Sequence, residues 1–206
     1  MSTLLRFETD SLPRSLAVEP PMSDEEFEAF CMRNEDVRIE RTREGAIRMN
    51  PPTGLLTDDG NAEIIHRLRS WWDTHHKGRV LGSNAGFFLP DGSMLSPDAA
   101  YLTAQQLRGV TRKQLAGFPR VCPAFVIELL SPSDSLAETS EKMERWIANG
   151  AQLGWLIDPY RRVVTVYEAG RDPVESSALK VDGSGSVEGF SLDLGKVWRC
   201  YEVPEE

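Results

Sequence analysis

Apolar and polar positions along the chain change period several times, and each change marks an element. In NAEIIHRLRSWWDTHH the apolar residues Ile64, Ile65, Leu68, Trp71 and Trp72 fall at i, i+1, i+4, i+7 and i+8, one stripe of an amphipathic helix. SLAETSEKMERWIANG carries a second stripe, Met143, Trp146 and Ile147, and ends at Gly150, a residue suited to a helix C-terminus. In MSDEEFEAF, Ser23 and Glu26 form a capping box that predicts a helix over about 24–33, with Phe27 and Phe30 on one face. VRIERTREGAIRMN instead alternates at Val37, Ile39 and Arg41, turns at Glu44-Gly45 and resumes with Ile47 and Met49, which is a β-hairpin.

RVLGSNAGFFLPDGSMLSPDAAYL predicts strands on both sides of the turn Pro90-Asp91-Gly92, the second running into Asp98. The run 124–130 is apolar on both faces, as the middle strand of a sheet must be. LGWLIDPYRRVVTVYEAG gives two strands around Asp158-Pro159-Tyr160-Arg161. A Gly/Ser turn, DGSGS, and an amphipathic piece, FSLDLGKVW, follow. Residues 103–120 are polar and rich in Arg, Lys and Gln, so they predict an exposed loop or short helix. Residues 1–21 carry prolines and no period and predict an irregular arm before a single domain over 22–206. The strand, helix, strand order over 124–168 implies a right-handed crossover if the two strands are parallel. An α/β fold follows, a mixed β-sheet flanked by helices, with an N-terminal helix and β-hairpin.

Composition narrows the class. With 206 residues, 40% of them hydrophobic and 27% charged, the chain suits one soluble globular domain. No apolar stretch approaches the roughly 20 residues that span a bilayer, and the first segment lacks a signal peptide's apolar core, so a cytoplasmic location is expected. Cys31, Cys122 and Cys200 are scattered, with no CxxC pair for zinc or redox work. A net charge of −9 argues against broad coating of nucleic acid but leaves room for a small acidic site that holds a metal ion.

Glu128 stands among apolar neighbours in a predicted interior strand, where an ionised carboxylate costs several kcal/mol unless a cation meets it. Ser96-Pro97-Asp98 closes an earlier strand. If the two strands pair, Asp98 and Glu128 face one pocket and supply hard oxygen ligands for Mg²⁺ or Mn²⁺. Each residue also has a plainer reading. Asp98 is a turn former after proline, and Glu128 is the partner of an arginine such as Arg120. Lys142 is a solvated helix lysine beside Glu141, and Glu40 a solvent-facing strand residue between Arg38 and Arg41. His66, His75 and His76 lack ligand spacing and read as surface residues, while the tryptophans fit apolar core faces. The chain has no Gly-rich phosphate loop and no GxSxG elbow.

The segments SPDAAYL, FVIELLSPS, EKMERWIANGAQLGWLIDP and GFSLDLGKVW, in this order and spacing, resemble the Uma-two family of restriction endonucleases, within the PD-(D/E)XK nuclease superfamily. The similarity runs over roughly 22–200. It implies a restriction-endonuclease-like core and Mg²⁺-dependent (or Mn²⁺-dependent) cleavage of DNA, a hydrolase activity. By position it makes Asp98 and Glu128 metal ligands and catalytic residues. The superfamily lysine, expected two residues after the glutamate, is replaced here by Leu130, and Lys142, in the first turn of the following helix, stands in for it. Glu40 matches a glutamate that precedes the family's glycine turn, and Asn61 occupies a position where relatives carry histidine.

Two functions follow from these residues. One is a metal-dependent DNA endonuclease, with Lys142 assisting at the water or the phosphate. The alternative is a nuclease-fold protein without catalysis that works as a binding or assembly module with a protein partner; it expects Lys142 in solvent. Beside these two stands a third possibility, a toxin or defence partner whose DNA activity appears only in a complex. A homodimer is expected by resemblance, through apolar edges at the early hairpin and the final segment.

Overall fold

The computed structural model describes residues 15–17, 19, 21–50 and 52–202. In chain order its elements are β1 (Ser15–Leu16), α1 (Asp24–Arg33), β2 (Arg38–Arg41), β3 (Ile47–Asn50), α2 (Leu55–His75), β4 (Arg79–Gly82), β5 (Phe87–Phe88), β6 (Met94–Leu95), β7 (Ala99–Leu102), α3 (Ala104–Arg108), α4 (Arg112–Ala116), β8 (Phe125–Leu129), α5 (Leu136–Ala148), β9 (Leu153–Asp158), β10 (Val163–Glu168), β11 (Val174–Ser176), β12 (Lys180–Asp182), β13 (Ser191–Asp193) and α6 (Leu194–Arg199).

The main sheet has six strands in the order β11-β10-β9-β8-β7-β4. Its β8 and β9 are parallel and joined through α5, and the remaining neighbours are antiparallel. This is the expected strand, helix, strand unit within a mixed sheet. The apolar run around Glu128 is buried because helices cover both faces. Phe125, Ile127 and Leu129 pack with Ile64 and Leu68 of α2 and with α6, while Val126 and Leu130 pack with Met143 and Trp146 of α5. Because side chains alternate along a strand, Glu128 falls on the α5 face.

A smaller sheet, ordered β1-β3-β2-β6-β5, carries the predicted hairpin and packs beneath α1 through Phe27, Ile39, Ile47, Phe88 and Met94. α1 has the predicted capping box, with Ser23 Oγ accepting from the Glu26 N–H and Glu26 accepting from the Ser23 N–H.

Three expectations change in detail, and that for residues 103–120 resolves to short helix. The strand expected to run into Asp98 stops at Leu95, and Ser96-Pro97-Asp98 passes the chain from the small sheet to the main one. Pro97 has no N–H to offer a ladder, which fits a break there. α2 begins at Leu55 and not near Asn61; Gly60, a weak helix former, lets it approach β8, since a β-carbon there would lie 2.9 Å from Leu129 Cδ2. Residues 103–120 contain two short helices, α3 and α4, each with a Thr-x-x-Gln capping box. Within the expected irregular arm, Ser15–Leu16 pair with β3 and cover the outer edge of the hairpin. Residues 1–14, 18 and 20 of that arm lie outside the described residues. Among the described residues no helix is long and apolar enough to cross a membrane.

Candidate active site

Asp98 and Glu128 meet through strand register. Ala99 faces Ile127 in the antiparallel β7/β8 ladder, so Asp98 and Glu128 are the next facing pair. The Asp98 N–H donates to the Ile127 carbonyl at 3.1 Å, and the Leu129 N–H donates to Asp98 Oδ2 at 2.8 Å. Both carboxylates therefore lie on the α5 side of the sheet, where the strand ends open into a cleft.

α5 supplies the answering groups. Lys142 and Trp146, one helical turn apart, project onto the same face. Lys142 Nζ lies 3.0 Å from Glu128 Oε1 and donates to Glu128 Oε2 at 3.2 Å. The Trp146 indole N–H donates to Glu128 Oε1 at 2.9 Å. Lys142 sits on the second turn of α5, beyond the first turn where the sequence suggested it, and this places its ammonium over the strand end.

The small sheet closes the site from the other side. Ile39 and Arg41 of β2 face α1, where the Arg41 guanidinium lies 5.1 Å from the Phe27 ring centroid. The alternate residues Arg38 and Glu40 consequently face the main sheet. Glu40 is buried, and its Oε1 lies 2.9 Å from Lys142 Nζ and accepts the Ser96 N–H at 2.9 Å. The Ser96 carbonyl accepts from Lys142 at 2.9 Å and from Arg38 Nη2. Arg38 Nη1 donates to Asp98 Oδ1 at 3.0 Å. The peptide that links the two sheets is thus tied to both cations.

Three buried carboxylates face two cations, leaving about one uncompensated negative charge. Its effect falls on Glu128: burial, reinforced by Asp98 and Glu40 and only partly offset by Lys142 and Arg38, pushes its carboxyl up to about 7. Burial would also raise Glu40, but Lys142 and Arg38 outweigh it and hold that carboxyl below its ordinary value. Burial works against charge on Lys142, yet Glu128 and Glu40 prevail and raise its proton affinity. At neutral pH the lysine is therefore an ammonium and a donor.

These residues line a cleft of about 540 Å³ whose walls also include Arg48, Thr57, Asp134, Glu138 and Tyr160. Among the described residues no group of three or more His, Cys, Asp or Glu side chains is placed to hold a metal ion. The two carboxylates at the strand ends, short of positive charge and open to the cleft, nevertheless fit Mg²⁺, which is usually held by one or two carboxylates with waters and substrate phosphates. They do not form the closed cage of a structural zinc site.

Of the residues singled out from sequence, Glu40, Asp98, Glu128 and Lys142 come together at one place. The plainer readings of Glu40 as solvent-facing and of Lys142 as solvated do not hold, since the side chains are 6% and 18% exposed. Arg120 is not the partner of Glu128; it pairs with Asp24 and Glu25 on α1. Asn61 does not line the cleft, and its Oδ1 is buried without a hydrogen-bond partner among the described residues. His66, His75 and His76 are exposed. Sequence reasoning missed Arg38 and the polar role of Trp146. The i, i+2 spacing of Arg38 and Glu40 on β2 was the available signal for the first.

The fold has a solved counterpart, a "putative nuclease belonging to DUF820" from Anabaena variabilis ATCC 29413, which superposes with a TM-score of 0.67 at 18% identity, covering 79% of this chain and 90% of that one. At that identity the likeness speaks to the fold. No curated protein matches the chain. The pattern of the Uma2 family, described as "Putative restriction endonuclease", matches residues 24–195. With most of the chain inside that match, the chain belongs to the Uma2 family.

Proposed function

We propose that the protein is a divalent-metal-dependent endonuclease that hydrolyses phosphodiester bonds in DNA. The observation that carries this reading is the convergence of Asp98, Glu128 and Lys142 at the floor of one cleft. Asp98 and Glu128 are the residues that would hold the ion, Mg²⁺ or Mn²⁺, whose charge would offset the burial that raises the Glu128 carboxyl. When bound, such an ion supplies polarisation of a phosphoryl oxygen and a lowered pKa for a coordinated water. Lys142 would donate to the water or to the phosphate oxygen where negative charge develops; its raised proton affinity excludes it as a base at neutral pH. Glu40 anchors Lys142, while Arg38 and Trp146 position Asp98 and Glu128.

The alternative, a binding or assembly module without catalysis, drew on Leu130 in the lysine position and expected Lys142 in solvent. Leu130 is buried against the α5 side of the core, and Lys142 contacts Glu128 and Glu40. Hydrolysis is therefore the favoured reading.

The test is incubation of the purified full chain with circular and linear DNA in Mg²⁺ or Mn²⁺. Nicking or cleavage is expected, abolished by chelator and by Asp98→Asn or Glu128→Gln. Cleavage that survives both substitutions, or no cleavage of any DNA form, contradicts the proposal.

A further inference from the structure

The cleft contrasts sharply in how its cations are used. Among the described residues its lining includes three cationic side chains, Arg38, Arg48 and Lys142. Arg38 spends its terminal nitrogens on Asp98 and the Ser96 carbonyl, and its Nε is buried. Lys142 is held between Glu40 and Glu128. Arg48 is exposed and forms no ion pair with any described residue.

Its placement follows from register. Arg48 lies directly opposite Glu40 in the antiparallel β2/β3 pair. Side chains of facing residues share one side of a sheet, with β-carbons roughly 5 Å apart. Arg48 therefore stands one strand farther out than Glu40, on the same side as the buried charges. Glu40 does not neutralise it, because the Glu40 carboxylate is already engaged by Lys142 and the Ser96 N–H.

The opposite wall is acidic. Asp134 and Glu138 line the cleft at the start of α5, and both are exposed. In a chain of net charge −9, a polyanion entering this cleft is repelled on the α5 side and meets an available cation on the β3 side. A guanidinium matches a phosphate through two parallel N–H donors.

We infer that Arg48 is the phosphate-positioning residue of the cleft, contacting the DNA backbone beside the scissile bond and drawing the bound strand along the β3 wall. The inference rests on the nuclease reading above. Arg48 contributes affinity and register to the substrate, while the chemistry stays with Asp98, Glu128 and Lys142.

The experiment is cleavage kinetics of one DNA oligonucleotide over a range of salt concentrations, for wild type, Arg48→Ala, Arg48→Lys and the distant surface control Arg171→Ala. Arg48→Ala is expected to raise KM about tenfold with little change in kcat, and to reduce the slope of log(1/KM) against log salt by about 0.7 to 0.9, the loss of one phosphate contact. Arg48→Lys restores the slope, and Arg171→Ala matches wild type. Should Arg48→Ala fold poorly, Arg48→Gln keeps the long stem, removes the charge and gives the same comparison. A wild type that cleaves, beside Arg48 variants with unchanged KM and slope, overturns this inference and leaves the nuclease reading standing. A wild type that cleaves no DNA overturns both.

Discussion

Lys142 Nζ lies 3.0 Å from Glu128 Oε1, although one residue belongs to α5 and the other to β8. The ammonium that meets Glu128 comes from the helix that follows the strand, and not from position 130, two residues after the glutamate. Leu130, in the strand position, is left free to pack against α5. The same ammonium lies 2.9 Å from Glu40 on the smaller sheet, so one side chain joins both sheets to the site.

Removing that ammonium leaves three buried carboxylates, Glu40, Asp98 and Glu128, facing only Arg38. Lys142→Ala is expected to cost about 3 to 5 kcal/mol of folding stability, the usual result of breaking a buried pair by deleting one partner. The loss should shrink in mildly acidic solution, where Glu128 takes up a proton. Urea unfolding in mildly acidic and mildly alkaline buffer measures both effects. A variant as stable as wild type in the alkaline buffer contradicts the buried network.

Trp146→Phe isolates one hydrogen bond. Trp146 is fully buried, with its ring 6.3 Å edge-on from Phe87, and a phenyl group retains most of that packing. What disappears is the N–H at 2.9 Å from Glu128 Oε1. The orphaned acceptor costs about 1 to 3 kcal/mol, and Glu128 binds its proton more tightly. Mn²⁺ binding followed against pH should therefore require a more alkaline solution in Trp146→Phe than in wild type. An unshifted profile removes Trp146 from the positioning of Glu128.

The pH dependence of stability has a definite sign. The Glu128 carboxyl rises from an ordinary value of 4.5 to about 7, first through burial and then through Asp98. Between those values the folded chain holds a proton that the unfolded chain has released, so metal-free stability falls as pH rises through that window. Glu40 and Asp24 are shifted the other way and lose their contribution only in more acidic solution. Thermal midpoints of metal-free wild type should decline from about pH 5 to about pH 8 relative to Glu128→Gln. Parallel curves for the two proteins contradict the assignment.

Different parts of this arrangement were legible in the sequence to different degrees. Glu128 stood out because a charge inside a strand apolar on both faces demands a partner. Asp98 followed from a Pro-Asp read as a strand end, though it lies just ahead of β7, in a different sheet from the strand it was expected to close. The helices were readable where an apolar stripe was long, as in Ile64, Leu68 and Trp72. Capping residues marked α1, through Ser23 and Glu26, whereas over 103–120, where Thr103 and Thr111 cap α3 and α4, loop and short helix both stayed open. Arg38 and Glu40 were harder. On an isolated hairpin they look solvent-facing, and only the packing of the small sheet against the main one encloses them. That closure depends on contacts such as Glu40 with Lys142, which no local period encodes. The pairing of Ser15–Leu16 with β3 was hidden for the same reason.

The central claim is that Asp98 and Glu128 bind one divalent cation, and metal binding is measurable without knowing the substrate. Thermal midpoints of wild type and Asp98→Asn, each with and without millimolar Mn²⁺, test it most directly. A ligand at 100 times its dissociation constant stabilises the folded state by about 2.7 kcal/mol. A Mn²⁺-dependent rise in wild type that is lost in Asp98→Asn is the predicted result; equal responses in the two proteins, or none in wild type, contradict it.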